Sequence, residues 1–450
     1  MKNANQGDGQ LKGAIAASLD ASKRRKRTTI VAIIVALVAI AIIAGAIIGH
    51  MWYLNRTIGT SIVAAQSGGA TVTPREKPLL SSSLPFSLDG VPANGSVVEV
   101  SEGQSQTALS GQWSFGGDFS QIGSFPIDAS TVFGSSTSDP NNLKAYYAAM
   151  IHQNGSADNL DPSAQSGTFY EPQDGTGDAS RVVWRSSTMN GAAQTGIDNW
   201  RLQTWDKASG ATRTLGSASD LNGREDTPAT YGEVVPTFNQ TNAYFASLIP
   251  QGEAWQETIL QYALAGGSAK PRQVDAGNFP AAVDDGVIYA SGAAQTDKTN
   301  RFRIYEALKH DDGAQSSTVF TVRSDGSKWG IGGVWAHGGF RAVAVSDGTT
   351  ESGTYIGLWS DGFKTNLGWV HVKSPSVVAS MNGQWIVWGS GSQADNAGMY
   401  AFNWSRSEVK YLGATQGYSR PTIASGPNVV LVPRYDGTTQ AVSFDVGGLE

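Results

Sequence analysis

The chain has 450 residues, a formal charge of −6, 40% hydrophobic content, only 16% charged residues, 54 glycines, 13 tryptophans and no cysteine. The missing cysteine excludes disulfides, thiolate metal sites and cysteine nucleophiles, and the hydrophobic content is sufficient for a buried core. Few charges among many turn formers and aromatics predict short strands and tight turns, in one large domain with appendages or in two domains.

The charge is unevenly placed. Residues 1–27 hold seven basic side chains (Lys2, Lys12, Lys23, Arg24, Arg25, Lys26 and Arg27) against Asp8 and Asp20, a net of +5, which leaves −11 for the remainder. An acidic remainder argues against nucleic acid as a partner. The basic cluster directly precedes Thr29–Gly49, TIVAIIVALVAIAIIAGAIIG, 21 residues without a charge. About 20 apolar residues in a helix span a hydrocarbon core, and no soluble helix needs to be apolar on every face. A transmembrane helix is therefore expected over residues 29–51, making the lipid bilayer the first expected partner, with Trp52 and Tyr53 following at the interface. Lys23, Arg24, Arg25, Lys26 and Arg27 determine the topology: residues 1–28 stay in the cytoplasm as a basic tail, and the chain beyond the plasma membrane is extracytoplasmic. Ala44-Gly45-Ala46 has the small-x-small form of a cleavage site, but the apolar run and the segment before it are both long for a cleaved signal. Arg24-Arg25 lacks the hydrophobic pair that follows a twin-arginine motif. An exported domain without cysteine suggests a bacterium with a single-membrane envelope.

Residues 52–106 are rich in Ser, Gly, Pro and Thr, and PREKPLLSSSLP at 74–85 reads as a stalk. The outer domain is expected over residues 107–450. Within it, Asp139-Pro140-Asn141-Asn142 and a closing Asn154-Gly155 bracket LKAYYAAMIHQ, which predicts a helical decoration at about 140–152.

From residue 168 to 446 the chain repeats. An apolar strand recurs as RVVWRS (181–186), AYFASL (243–248), GVIYAS (286–291), RAVAVS (341–346), QWIVWG (384–389) and NVVLVP (428–433). An aromatic strand follows each, as WRLQTWD (200–206), TILQYAL (258–264), RFRIYEA (301–307), YIGLWSD (355–361), GMYAFNW (398–404) and QAVSFDV (440–446). A third element, such as TRTLGSA (212–218) or VKYLGAT (409–415), completes several units. Period-two alternation marks these as strands. Asp-Gly and Asn-Gly pairs, among them Asp285-Gly286 and Asn382-Gly383, favour the left-handed conformations of two-residue hairpins. No D-x-[DN]-x-[DN]-G string turns these aspartates into a calcium loop.

Units of this length and composition resemble the blades of TolB-like and WD-repeat-like propellers, with Trp205-Asp206 and Trp359-Ser360-Asp361 ending aromatic strands as those blades do. The resemblance implies an all-β, six- or seven-bladed β-propeller ectodomain and covers about residues 168–446. The last unit ends before an outer strand, so Ala108–Phe115 or Gly95–Val100 is expected to close the ring, and residues 107–168 have room for a seventh blade.

The search for chemistry is short. The five histidines form no metal-ligand pair, and neither a G-x-S-x-G elbow nor a phosphate loop occurs, so no cofactor or metal is implied. Ser324–Trp329 resembles a shortened Asp-box, a structural hairpin of sialidase-type propellers. A glycosidase needs two positioned carboxylates, which spacing alone does not pair. Trp335-Ala336-His337 and Trp369-Val370-His371 repeat W-x-H, read as lying in successive blades. Residues two apart share a strand face, so Trp335, His337, Trp369 and His371 are candidate binding residues for a sugar or peptide; packing between blades is the competing reading. The expectation is an envelope binding or scaffolding protein for a protein or glycan, the alternative an extracellular carbohydrate-active hydrolase or lyase on the same scaffold.

Overall fold

A computed structural model describes residues 80–81, 84–100, 105–142, 145–162, 171–187, 199–224, 227, 235–252, 254–266, 270–292, 295–296, 303–324, 328–390, 398–414, 420–436, 438–439 and 441–450. The cluster Lys23–Arg27, the run 29–51 and the small-x-small sequence lie outside them. Among the described residues no helix is long and apolar enough to cross a membrane.

The described residues form seven blade sheets, each built on four antiparallel strands that run outward in sequence order except at the outer strand of the last, and consecutive blades pack against one another around a closed ring; a small two-stranded sheet, Gln295–Thr296 with Arg303–Ile304, lies apart from the blades. This is a seven-bladed β-propeller. Blade 1 comprises Gln121–Asp128, Thr131–Ser136, Tyr147–His152 and Ala157–Asn159. Blade 2 comprises Glu171–Gly177, Arg181–Ser187, Trp200–Asp206 and Ala211–Ser217. Thr237–Phe238, Asn242–Gln251, Ala254–Ala263 and Arg272–Ala276 make blade 3; Asn278–Val283, Gly286–Ser291, Ala307–Asp311 and Ser316–Arg323 make blade 4. Blade 5 is Gly330–His337, Phe340–Ser346, Thr354–Ser360 and Thr365–Val372, and blade 6 is Val377–Met381, Trp385–Ser390, Met399–Asn403 and Glu408–Gly413. Blade 7 takes Thr422–Ile423, Val429–Asp436 and Ala441–Gly448 from the C-terminal end of the chain. Its outer strand is Ser110–Gly116, with Val446 opposite Trp113 and Phe444 opposite Phe115. The expected closure by an N-terminal strand is therefore present, and the seventh blade lies where residues 107–168 left room for it.

Ring packing explains why the strongest strands read as nearly continuous apolar runs. In Trp385–Ser390, Trp385 and Val387 face blade 7, while Ile386 and Trp388 face blade 5. In blade 5, Val343 and Val345 face blade 4, and Ala342 and Ala344 face blade 6. Each strand is thus buried on both faces, as in a sheet sandwiched between layers. Every blade boundary holds its own apolar cluster, and Trp184, Trp359, Trp369, Trp385 and Trp388 are the large wedges between blades. Where two wedges crowd one sheet, glycine makes room: a Cβ on Gly357 would meet the Trp359 ring at 2.4 Å and the Trp369 ring at 2.6 Å.

Three expectations are corrected. The aromatic strand expected at 301–307 is not a blade strand: Arg303–Ile304 pairs with Gln295–Thr296 outside the blade, and the third strand of blade 4 is Ala307–Asp311. Residues 147–152 form the third strand of blade 1, not a helix. Asp139 takes the amide of Asn141 on its side chain and starts a turn instead, and Ala148, Ala149, Met150 and Ile151 are buried on both faces of a sheet, so tertiary pairing overrides the local helix signal. The stalk, placed over residues 52–106, gives way to edge strands within its C-terminal half. Ser87–Asp89 adds a fifth strand to blade 4, and Val97–Glu99 adds a parallel strand to blade 5, itself followed outward by Leu80–Ser81. Phe86 is buried against Trp329 and Trp369, with ring centroids 5.2 and 5.5 Å away. Its large apolar surface overrides the flexible composition around it.

Candidate functional site

In each blade the first strand stands innermost, and all seven innermost strands line one open cavity of about 520 Å³. Most of the lining residues sit at the C-terminal ends of these strands and in the turns that lead to the second strands, for example Thr176–Asp178, Pro280–Asp284 and Val334–Gly338. The cavity is therefore the mouth of the central channel at that end of the ring.

The mouth is held by a belt of bonds between neighbouring inner strands. The Gly175 amide donates to Ser124 Oγ (3.2 Å), Thr176 Oγ1 to Pro236 O (2.9 Å), Asn239 Nδ2 to Val283 O (2.9 Å) and the Ala282 amide to Thr237 Oγ1 (3.1 Å). On the other side the Ile423 amide donates to Ser380 Oγ (3.2 Å), Thr422 Oγ1 to Ser124 O (3.0 Å) and Ser425 Oγ to Gly177 O (2.8 Å). The last of these reaches from blade 7 to blade 2 past blade 1. Such bonds fix the wall before any ligand arrives, which lowers the ordering cost of binding.

Charges at the mouth are largely spent within the protein. Asp178 Oδ1 accepts from the amides of Ser180 and Arg181 and from Ser180 Oγ, the pattern of an Asx turn. Arg181 pairs with Asp206 at 2.9 Å, and this bond, with those from Ser209, holds the Asp206 carboxyl below the ordinary carboxylate range. Arg341 donates to the carbonyls of Gly338 and Phe340 and lies in the field of Asp284 and Asp285. Burial, and then the nearby Arg341 charge, push the His337 imidazole below its usual range, against the opposing pull of Asp284, so His337 is neutral at neutral pH. Among the described residues no cluster of three metal-ligating side chains occurs.

The sequence-selected residues divide. Trp335 and His337 are half-buried at the mouth, on the inner strand of blade 5. The Trp335 ring folds over Gly333, where a Cβ would come within 2.3 Å of it. Trp369 is fully buried in the cluster between blades 4 and 5, and its indole N–H has no hydrogen-bond partner. His371 stands on the fourth strand of the same blade. Its Nδ1 is 2.6 Å from Glu99 Oε2, its Nε2 is 3.0 Å from Ser352 O, and its ring stacks on Tyr355 at 4.1 Å. The two W-x-H motifs are thus the first and last strands of one sheet rather than equivalents in successive blades. The second pair is structural: it packs the core and clasps the strand Val97–Glu99.

Sequence reading missed Phe125, Phe238, Met381 and Arg420, which also line the mouth, because it found no inner strands. A signal was nevertheless present. Asp285-Gly286, Gly338-Gly339 and Asn382-Gly383 each stand immediately before a strong apolar strand, so the residues just upstream of such turns are the ones that reach the channel.

No family model matches the chain, and no curated protein matches it. Solved structures do resemble it. An oligogalacturonate lyase in complex with manganese superposes with a TM-score of 0.47 at 12% identity, covering 84% of this chain and 99% of that one. The β-propeller domain of the trilobed protease from Pyrococcus furiosus, described as having an open velcro topology, gives 0.43 at 7%, covering 73% and 96%. The β-propeller domain of a Myceliophteria thermophila protein gives 0.44 at 8%, covering 74% and 98%. These are likenesses of propeller architecture, and the seven-bladed fold rests on the strand order itself.

Proposed function

We propose that the protein is a binding or scaffolding component of the cell envelope, held at the plasma membrane by residues 29–51 and taking its ligand at the channel mouth. The apolar run and the basic cluster before it support the anchor. One observation carries the binding reading: all seven inner strands line one concave bowl, six of them tied to a neighbour by hydrogen bonds, whose surface sets aromatic and neutral-polar side chains beside Asp178, held in its turn, Arg181, paired with Asp206, and the exposed Asp284. Concave, largely preformed sites with a few fixed polar groups are the usual form of ligand pockets. A hydrolase or lyase would need two carboxylates presented to a substrate, and of the two that line the mouth Asp178 is committed to its turn, which leaves the exposed Asp284 alone.

The test uses the full-length chain in detergent micelles, probed with envelope extract and with a glycan array. Ser380→Arg, which fills the mouth, should abolish capture of whichever ligand is found, whereas Ser380→Ala, which removes only the bond to the Ile423 amide, should retain it. Undiminished capture by Ser380→Arg would move the binding site elsewhere. Cleavage of a captured glycan would favour the enzyme.

A further inference from the structure

The channel mouth does not end at the inner strands. In blade 5, Trp335 pairs with Ala342 and His337 pairs with Phe340 across the first hairpin. Directly opposed residues project from the same side of a sheet, and residues two apart share a face. Trp335, His337 and Phe340 therefore stand in a row on the side of blade 5 that faces blade 6, where Ala342 is also buried. The row continues across the boundary. The Phe340 ring lies 5.1 Å from the Trp404 ring, inclined at 45°, and Trp404 belongs to the turn between Met399–Asn403 and Glu408–Gly413 of blade 6. That turn and the blade 5 hairpin emerge at the same end of the ring, because strands alternate in direction outward along each blade.

Three features make this row a groove rather than core. Trp335, His337, Phe340 and Trp404 are only half-buried. Gly338 and Gly339 have open space where a Cβ would stand, and Gly383, on the facing hairpin of blade 6, has only the His337 ring 4.0 Å away. The cation beside it, Arg341, is answered internally by two carbonyls and by the field of the exposed Asp284 and Asp285.

Resting on the reading that the mouth binds a ligand, we infer that this groove is an extension of that site for an extended, uncharged glycan, whose sugar rings stack along Trp335, Phe340 and Trp404. A pyranose chain presents alternating apolar faces and hydroxyl edges. The groove answers with aromatic faces separated by an imidazole and exposed backbone at the two glycines. It has no unanswered cation to hold a polyanion, and its rings stand on the face of blade 5 and across the boundary in blade 6, not along the channel-facing edge of Gly330–His337 where an extended peptide would add a strand.

Full-length protein is titrated with neutral hexose and N-acetylhexosamine oligomers of increasing length, in parallel with Trp404→Ala and Trp404→Phe. The expected result is an affinity that rises with chain length, a loss of about tenfold for the long oligomers in Trp404→Ala, unchanged binding of the shortest bound sugar, and recovery in Trp404→Phe. A length dependence identical in wild type and Trp404→Ala, with matching melting temperatures, overturns the groove. So does a preference for anionic chains. Capture of a protein partner at the mouth with no oligomer bound overturns the glycan while leaving the binding reading intact. Binding that is insensitive to Ser380→Arg and sensitive to Trp404→Ala breaks the opposite link.

Discussion

At the scale of single residues, two neighbouring tryptophans separate packing from hydrogen bonding. Trp359 and Trp369 are both fully buried, with ring centroids 5.2 Å apart at 81° in the cluster between blades 4 and 5. Trp359 Nε1 donates to Pro92 O at 2.8 Å and so ties the N-terminal segment to the blade, whereas Trp369 Nε1 has no partner. Replacement by phenylalanine removes similar volume at both sites, but only at Trp359 does it leave a carbonyl without its donor. Trp359→Phe is expected to cost about 1 kcal/mol more than Trp369→Phe, read as the difference in urea-unfolding free energy. Equal losses would show that the bond to Pro92 contributes nothing net.

At the scale of elements, the parts of the fold visible in the sequence were those with a strong physical signature. The second strands of blades 2 to 7, and the third strands of all of these except blade 4, announce themselves because they are buried on both faces, as at Trp385–Ser390, and end in tight turns. The inner strands escaped notice because channel geometry keeps them short or rich in glycine and proline: Thr422–Ile423 has two residues, and Glu171–Gly177 reads EPQDGTG. The same blindness hid most of the candidate site, so that Trp335 and His337 were found by a motif whose second copy proved structural. The segment 147–152 was misread because its helix start is local while its burial is tertiary, and the strands within 84–100 because three residues among Ser, Gly and Pro leave no periodicity to detect.

Those N-terminal strands also make a graded prediction. Removal of residues 84–104 strips Ser87–Asp89, Val97–Glu99 and buried Phe86 from two blades that keep their four own strands. Removal through residue 117 also deletes Ser110–Gly116 and leaves blade 7 with three strands and the ring unclosed. Thermal unfolding should be cooperative but lowered in the first case and lose its cooperative transition in the second, since closure abolishes a sheet edge that is otherwise exposed. A second truncation as stable as the first would mean that the outer strand does not close the ring.

At the scale of the whole molecule, seven blades leave a channel whose one described mouth is both preformed and chemically mixed. The belt from Ser124 through Thr176, Asn239 and Thr422 braces the mouth, and the half-buried rings of blade 5 form part of its lining. The most direct measurement is site-specific photocrosslinking in the full-length chain. A crosslinker at Gln240, exposed at the mouth, is compared with one at Gln315, exposed on the outer hairpin of blade 4. If the mouth is the binding site, the envelope ligand is trapped from position 240 and not from 315. Trapping from 315 alone would contradict it and place the ligand on the rim.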